Sequence, residues 1–250
     1  MRNSIVYNGR SLGEFGLSLI DGSTSFVSPE KEYELISIPG RNGDLSIFNK
    51  FSDVDISIPV YIHRNFVENY RNLLQFLNGS NGYQRFEISN DPDHFRKALF
   101  LGAVVPKTGP FNFNGRFSLR FRMNPQRWLK WAEEWIDATS SFHTWDIDNS
   151  TNMSAKPLIQ FQGNGTITFY GADETLIGSI TVANNDNTYV EIDCETFDCY
   201  SVGRDIITNR NADVTFNGDP ELVPGTNEIV YSSTFEGDEV LKIMPRFFVI

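Results

Sequence analysis

Val54-Asp55-Ile56-Ser57-Ile58-Pro59-Val60-Tyr61-Ile62 puts an apolar residue at every even position. Successive side chains of a strand point to opposite faces, so this period of two reads as a β-strand with one face in a core. Pro59 sits on the other face and has no N–H to give a neighbour, which predicts an edge strand or a local irregularity. A second and longer alternation runs from Phe111 to Met123. Its odd positions read Phe, Phe, Gly, Phe, Leu, Phe, Met, and its even positions include Arg116, Ser118, Arg120 and Arg122. That pattern predicts an antiparallel strand with one greasy and one basic, exposed face, whose arginines are solvated or ion-paired across strands.

Between these two strands the period changes. Phe66, Tyr70, Leu73, Leu74 and Leu77 recur at helical spacing, Asn65 and Glu68 resemble a capping box, and Gly79 supplies a stop, so a helix over 66–77 is expected to lie on the sheet. Ser4 to Ile62 otherwise reads as short β-runs broken at Gly13, Gly16, Asp21-Gly22, Pro39-Gly40 and Asn42-Gly43. Further strands are expected at 83–88 and 98–105. Trp128, Trp131 and Trp135 fall at i, i+3 and i+7, which predicts a short docked helix whose indoles pack rather than form a sugar platform.

A Ser/Thr/Asn/Asp-rich segment, 137–156, predicts a domain boundary, with domains over 1–137 and 138–250. Beyond it, β patterning at 158–161, 166–170, 176–182, 189–193, 212–216, 227–232 and 242–250 predicts a β-sandwich. The fold class is therefore mostly β with a minor α component, in keeping with 21 Phe and 9 Tyr in 250 residues.

Charge is divided as unevenly as pattern. Residues 1–137 carry 16 Lys/Arg against 15 Asp/Glu, and residues 138–250 carry 5 against 17, so halves of about +1 and −12 make up the net −11. An acidic half argues against nucleic-acid binding by phosphate neutralisation, although a conduit wall past which DNA slides would tolerate it. Cys194 and Cys199 lack nearby histidines in sequence and are expected to be free thiols kept reduced in a cytoplasm. No secretory signal or membrane span is expected.

The residues also argue against chemistry. Gly40-Arg41-Asn42-Gly43 and Gly163-Asn164-Gly165 lack the Lys-Ser/Thr of a phosphate cradle, and there is no dinucleotide fingerprint. His63, His94 and His143 are scattered singly, and no Gly-x-Ser-x-Gly elbow occurs. Acidic pairs such as Asp91/Asp93, Glu133/Glu134, Asp146/Asp148 and Asp193/Glu195 are expected by chance among 32 acids. Asn184-Asn185-Asp186-Asn187 lacks the glycine and distal glutamate of a calcium loop and reads as a hairpin turn. No catalytic residue, cofactor or metal is expected.

Several stretches, taken in order, resemble the distal tail protein (Dit) family of long-tailed bacteriophages. They are Ile38-Pro39-Gly40-Arg41-Asn42-Gly43-Asp44-Leu45, the Leu-Leu-x-Phe-Leu-Asn-Gly core within Tyr70 to Tyr83, and Phe117-Ser118-Leu119-Arg120-Phe121-Arg122-Met123-Asn124-Pro125. In the second half they are Ala155-Lys156-Pro157-Leu158-Ile159, Gly163-x-Gly165, Ile192-Asp193-Cys194-Glu195, Leu222-Val223-Pro224-Gly225-Thr226-Asn227-Glu228-Ile229 and Ile243-Met244-Pro245-Arg246-Phe247-Phe248. Each piece is short; their shared order along nearly the whole chain carries the resemblance.

The resemblance implies an N-terminal domain that closes into a hexameric ring continuing the tail tube, and a galectin-like C-terminal β-sandwich facing outward. Implied partners are further copies of the chain, the tail tube protein, a tail-associated tip protein, and receptor-binding or baseplate proteins. The place implied is the virion tail tip, assembled in the host cytoplasm. Strand-rich extensions such as Ser23 to Phe48 would supply the edges of a closing ring, and the turn Pro39, Gly40, Arg41, Asn42, Gly43 is expected at the interprotomer arm. The alternative is a carbohydrate-binding adhesion protein recognising host cell-wall polysaccharide. It needs exposed aromatic platforms in 138–250, where Trp145 is the one candidate. A glycosidase would need two convergent carboxylates.

Overall fold

The two alternating stretches pair with each other. In the computed structural model, which describes residues 4–20, 27–138, 144–184, 188–202, 207–235 and 240–250, strands Val54–Ile62 and Gly115–Met123 run antiparallel from Val54 opposite Met123 to Ile62 opposite Gly115. Every even residue of the first and every odd residue of the second is buried. The sheet around them has the order Arg10–Ser11, Ile5–Tyr7, Gln84–Ile88, His94–Phe100, Gly115–Met123, Val54–Ile62, Leu17–Leu19. Leu17–Leu19 covers only the Val60–Ile62 end of Val54–Ile62. Ile20 N–H donates to the Pro59 carbonyl at 3.2 Å, so the N–H that Pro59 lacks would point beyond the end of that short partner, and the strand's edge begins there.

The long alternation starts later than its sequence pattern. Pro110–Asn112 is a 3-10 turn in which Phe111 has φ 55°, and Phe111 and Phe113 are exposed instead of continuing the greasy face. Gly115, the small member of the apolar row, lets the Phe66 ring approach: a Cβ there would stand 2.4 Å from its Cε2. Phe66 opens the helix Phe66–Asn78, which buries Phe66, Leu73 and Leu77 on the sheet. Asn65 does not cap it. Asn65 lies in the left-handed region (φ 52°) with no side-chain cap bond, and the Phe66 N–H donates to the Phe113 carbonyl at 3.3 Å, so backbone from the adjoining loop serves in place of a capping box. The core beneath is aromatic, with Phe121 5.4 Å from Tyr7, 5.2 Å from Phe86 and 5.6 Å from Phe100.

The chain divides into two compact units, Met1–Arg127 with Ile250, and Trp128–Val249. Residues 128–137 thus pack with the second unit, ahead of the 137/138 change in composition. Their backbone explains it: Leu129 N–H donates to the Phe247 carbonyl at 2.9 Å, and Ile136 pairs with Ile243. The tryptophans here are not on a helix. Trp128 is in the strand Arg127–Leu129, Trp131 opens a 3-10 turn and Trp135 follows it. Pairing with the chain's C-terminal segment offers these backbone groups partners that a helix would have had to supply itself. Trp128 and Trp131 lie 6.4 Å from Phe248 and 5.5 Å from Phe247.

The second unit is a sandwich of two antiparallel sheets. One has the order Ile136–Asp137, Leu241–Met244, Leu158–Gln162, Tyr189–Asp193, Asp198–Val202, Ile207–Asn209; the other Thr144–Asn149, Gly225–Ser233, Asn164–Tyr170, Leu176–Ala183, Val214–Gly218. Ile159, Phe161 and Ile192 from one sheet share a core with Ile167, Phe169 and Ile229 from the other. Thr144–Asn149 lies inside the segment expected as a linker, and Asp198–Val202 and Ile207–Asn209 were not expected as strands. The terminal run 242–250 is broken into Leu241–Met244 and Phe248–Val249 around Pro245 and Arg246, whose φ is 56°.

Candidate assembly surface

One element of the first unit pairs with no other strand among the described residues. Strands Lys31–Ile36 and Leu45–Phe51 form a two-stranded hairpin that joins no larger sheet. All of residues 31–50 are exposed. Tyr33, Leu35 (64% exposed) and Phe48 occupy one face, and Ile36, Leu45 and Ile47 occupy the other. The aromatic face is ordered within itself: Phe48 lies 5.8 Å from Tyr33 and 5.1 Å from Phe51, and the Lys31 ammonium stands 5.8 Å above the Phe51 ring. Near its base, Ser52 donates to Glu32 at 2.7 Å and Lys50 lies 3.7 Å from the same carboxylate.

Pro39, Gly40, Arg41, Asn42 and Gly43 form the tip of this hairpin, all exposed. The Arg41 N–H closes the turn on the Ile38 carbonyl at 3.1 Å, and Gly40 and Gly43 take φ of 83° and 82°, which favours glycine at both positions. The extension expected over 23–48 is described from residue 27, and Ser23–Phe26 lies outside the described residues. The sequence marked the tip but not the flanking apolar faces. Their signal was the pair Leu35-Ile36, adjacent apolar residues that a half-buried strand would not show. A lone two-stranded ribbon is marginal in water, and apolar side chains on both of its faces make it a candidate assembly surface.

A second apolar surface of the same unit lies beside the helix. A cavity of about 430 Å³ is lined by Val67, Tyr70, Arg71, Leu74, Thr108 and Asn112, with Phe66 behind them. Phe111 is fully exposed and Val105 81% exposed in the loop before Gly115–Met123. The Tyr70 hydroxyl donates to the Val104 carbonyl at 3.1 Å and holds that loop to the helix.

The residues weighed for chemistry are engaged structurally. His63 Nε2 lies 2.9 Å from Ser18 Oγ, and His94 Nδ1 lies 2.7 Å from Asp91, which also takes Arg127 at 2.7 Å. Arg246 holds Asp193 at 2.9 Å. Arg122 makes a two-pronged pair with Asp55 at 2.7 and 3.0 Å, keeping that carboxyl below its ordinary range, and Arg116 lies 5.5 Å over the Tyr61 ring. Cys194 and Cys199 are free and buried, and burial pushes both thiols up to about 12. Trp145 is half-buried against the sandwich core. His143 and Asn185–Asn187 lie outside the described residues; Asn184 is buried and donates to the Thr188 carbonyl at 2.6 Å, but the strands on either side, Leu176–Ala183 and Tyr189–Asp193, belong to different sheets, so the connection crosses between sheets and is not the hairpin expected. No group of three or more His, Cys, Asp or Glu among the described residues is arranged to hold a metal.

No protein-family profile matches the chain, and no curated protein matches it in sequence. Solved structures do match in fold. The Dit protein of SPP1, described as a paradigm of the hub adsorption apparatus of phages infecting Gram-positive bacteria, aligns over 97% of both chains with a TM-score of 0.70 at 9% identity. Chains of the phage P2 baseplate in its activated conformation align over 96% of this chain with TM-scores of 0.54 and 0.57, each at 9% identity. The mostly β, two-unit fold is therefore that of phage hub and baseplate structural proteins along essentially its whole length.

Proposed function

We propose that this chain is a structural component of a long-tailed bacteriophage tail tip, and that six copies form a hub joining the tail tube to the tip and host-recognition apparatus. The observation that carries the reading is the whole-chain likeness in fold to a hub protein, covering both units at once. The exposed apolar hairpin supports it independently, because a ring of identical subunits needs head-to-tail contacts and such contacts need an edge or arm to offer. In this reading the N-terminal domain closes the ring, with Pro39–Gly43 at the interprotomer arm. The galectin-like C-terminal domain faces outward toward receptor-binding or baseplate proteins. The tail tube protein and a tail-associated tip protein are the axial partners. DNA passes through the lumen without being read, consistent with a first half close to neutral, 16 Lys/Arg against 15 Asp/Glu over residues 1–137, which offers phosphate little net attraction. The chain catalyses nothing, and its place is the virion tail tip after assembly in the host cytoplasm.

The test is the absolute mass of the purified full chain by light scattering behind a sizing column, across concentration and salt, with negative-stain images of the largest species. A sixfold mass with a central hole is the expected result. A monomer at every concentration overturns the ring.

A further inference from the structure

We propose that the groove beside helix Phe66–Asn78 is the seat of the hairpin arm of a second copy of this chain, with the Ile36/Leu45/Ile47 face inward and Glu34 meeting Arg71. The inference rests on the ring reading and names its contact. A head-to-tail interface joins two different patches of one chain, and among the described residues the first unit offers both an exposed apolar hairpin and an apolar groove. The chain's own hairpin does not fill its own groove, since residues 31–50 are all exposed.

Shape and charge select the face. Ile36, Leu45 and Ile47 form a compact aliphatic knob, 38 to 43% exposed, suited to a cavity of about 430 Å³ between Val67, Tyr70 and Leu74. Glu34 sits directly across from Ile47 on the same face. Among the described residues Glu34 has no ion pair, and neither has Arg71, which is exposed on the groove wall. An acid beside an aliphatic knob and a cation beside an aliphatic groove are complementary, and such pairs set orientation as well as rate. Glu68, on the same helix, is the acid an arm in the wrong register would meet. Phe111, fully exposed with a left-handed backbone next to Asn112 of the groove, is placed to close over an inserted arm.

The experiment is a charge swap in the full chain, reading the concentration at which half the chains are assembled, by light scattering. Glu34→Arg alone and Arg71→Glu alone each raise that concentration about tenfold or more, which corresponds to about 1.4 kcal/mol per contact. The chain carrying both substitutions returns to within about threefold of the unsubstituted protein, because every interface then holds the pair with its signs reversed. Both residues are exposed, so melting temperatures stay unchanged and a loss of assembly is not a loss of folding. Singles that assemble like the unsubstituted chain, or a double variant as defective as the two singles combined, overturn the arm-in-groove contact and leave the ring standing with another occupant or solvent in the groove. An unsubstituted chain that never assembles overturns the ring reading, and this inference with it.

Discussion

Asn227 is fully buried near the start of strand Gly225–Ser233, where its side-chain amide holds the turn that leads into the strand. Its Nδ2 donates to the Val223 carbonyl at 2.8 Å and the Gly225 carbonyl at 2.9 Å, and its Oδ1 accepts from the Val223 N–H at 2.8 Å. Asn227→Ala removes these three hydrogen bonds and a longer fourth to the Ile147 carbonyl at 3.5 Å, and leaves the half-buried Val223 N–H without its partner. At about 1 kcal/mol for each bond, with a further penalty for that donor, the loss is roughly 3–5 kcal/mol. Asn227→Asp keeps the size but turns a donor into a charged acceptor facing two carbonyls. Burial of such a carboxyl raises its pKa by roughly 3–5 units, at about 1.36 kcal/mol per unit. At neutral pH that cost is capped at about 4 kcal/mol, the work of protonating a carboxyl of ordinary pKa, so the Asp variant is expected to lose about as much as the Ala variant.

The sign of its pH dependence follows. A carboxyl whose folded pKa lies above its unfolded value binds its proton more tightly when folded, so stability is regained as pH falls toward the ordinary carboxylate range. The measurement is urea unfolding of the full chain between pH 4 and pH 8, approximate limits set by the shift, following the transition of the second unit. An Asp variant as stable as the parent at neutral pH, or one that weakens on acidification faster than the parent, would refute this account of the amide.

Further outcomes are expected elsewhere. Gly115→Ala forces the Phe66 ring aside and costs about 1–3 kcal/mol, read as a lowered melting temperature of the first unit. Phe121→Ala, which removes a fully buried ring touching Tyr7, Phe86 and Phe100, costs about 3–5 kcal/mol in the same assay. Cys194 and Cys199 resist alkylation in the folded chain at mildly alkaline pH and react on unfolding. Because both thiols are raised to about 12, the stability they contribute is full below the ordinary thiol pKa and is lost as pH climbs toward 12. Leu45→Asp or Ile47→Asp on the exposed hairpin leaves the fold and melting temperature intact; solution mass should report a loss of assembly, and an unchanged ring would remove that face from the interface.

Much of the architecture was written in local pattern. The period of two in Val54–Ile62 and in the Gly115–Met123 part of the longer run, and the period of 3.6 over Phe66–Asn78, predicted strand, strand and helix with the correct buried faces. Each of those segments answers to one side of one core, so sequence alone states which face is apolar. The order of short motifs along the chain also pointed to the fold that solved hub and baseplate structures share. What failed shares one cause. Asn65 lost its capping role to a loop carbonyl from Phe113, the tryptophan stripe became strand and 3-10 turn because the C-terminal segment offered its backbone other partners, and Thr144–Asn149 became a strand by pairing with Gly225–Ser233.

Local pattern marked the Pro39–Gly43 turn, because positive φ and a tight turn require particular residues there. The exposure of the hairpin's two apolar faces depends on what the rest of the chain leaves uncovered. So does the groove between Tyr70, Arg71 and Leu74: a helical stripe reads as core until the loop beside it stops short and leaves part of that stripe to solvent. Composition and spacing determine what a segment is able to bury. Which of those surfaces is in fact buried is a property of long-range pairing, and it was the tertiary structure that left these two open.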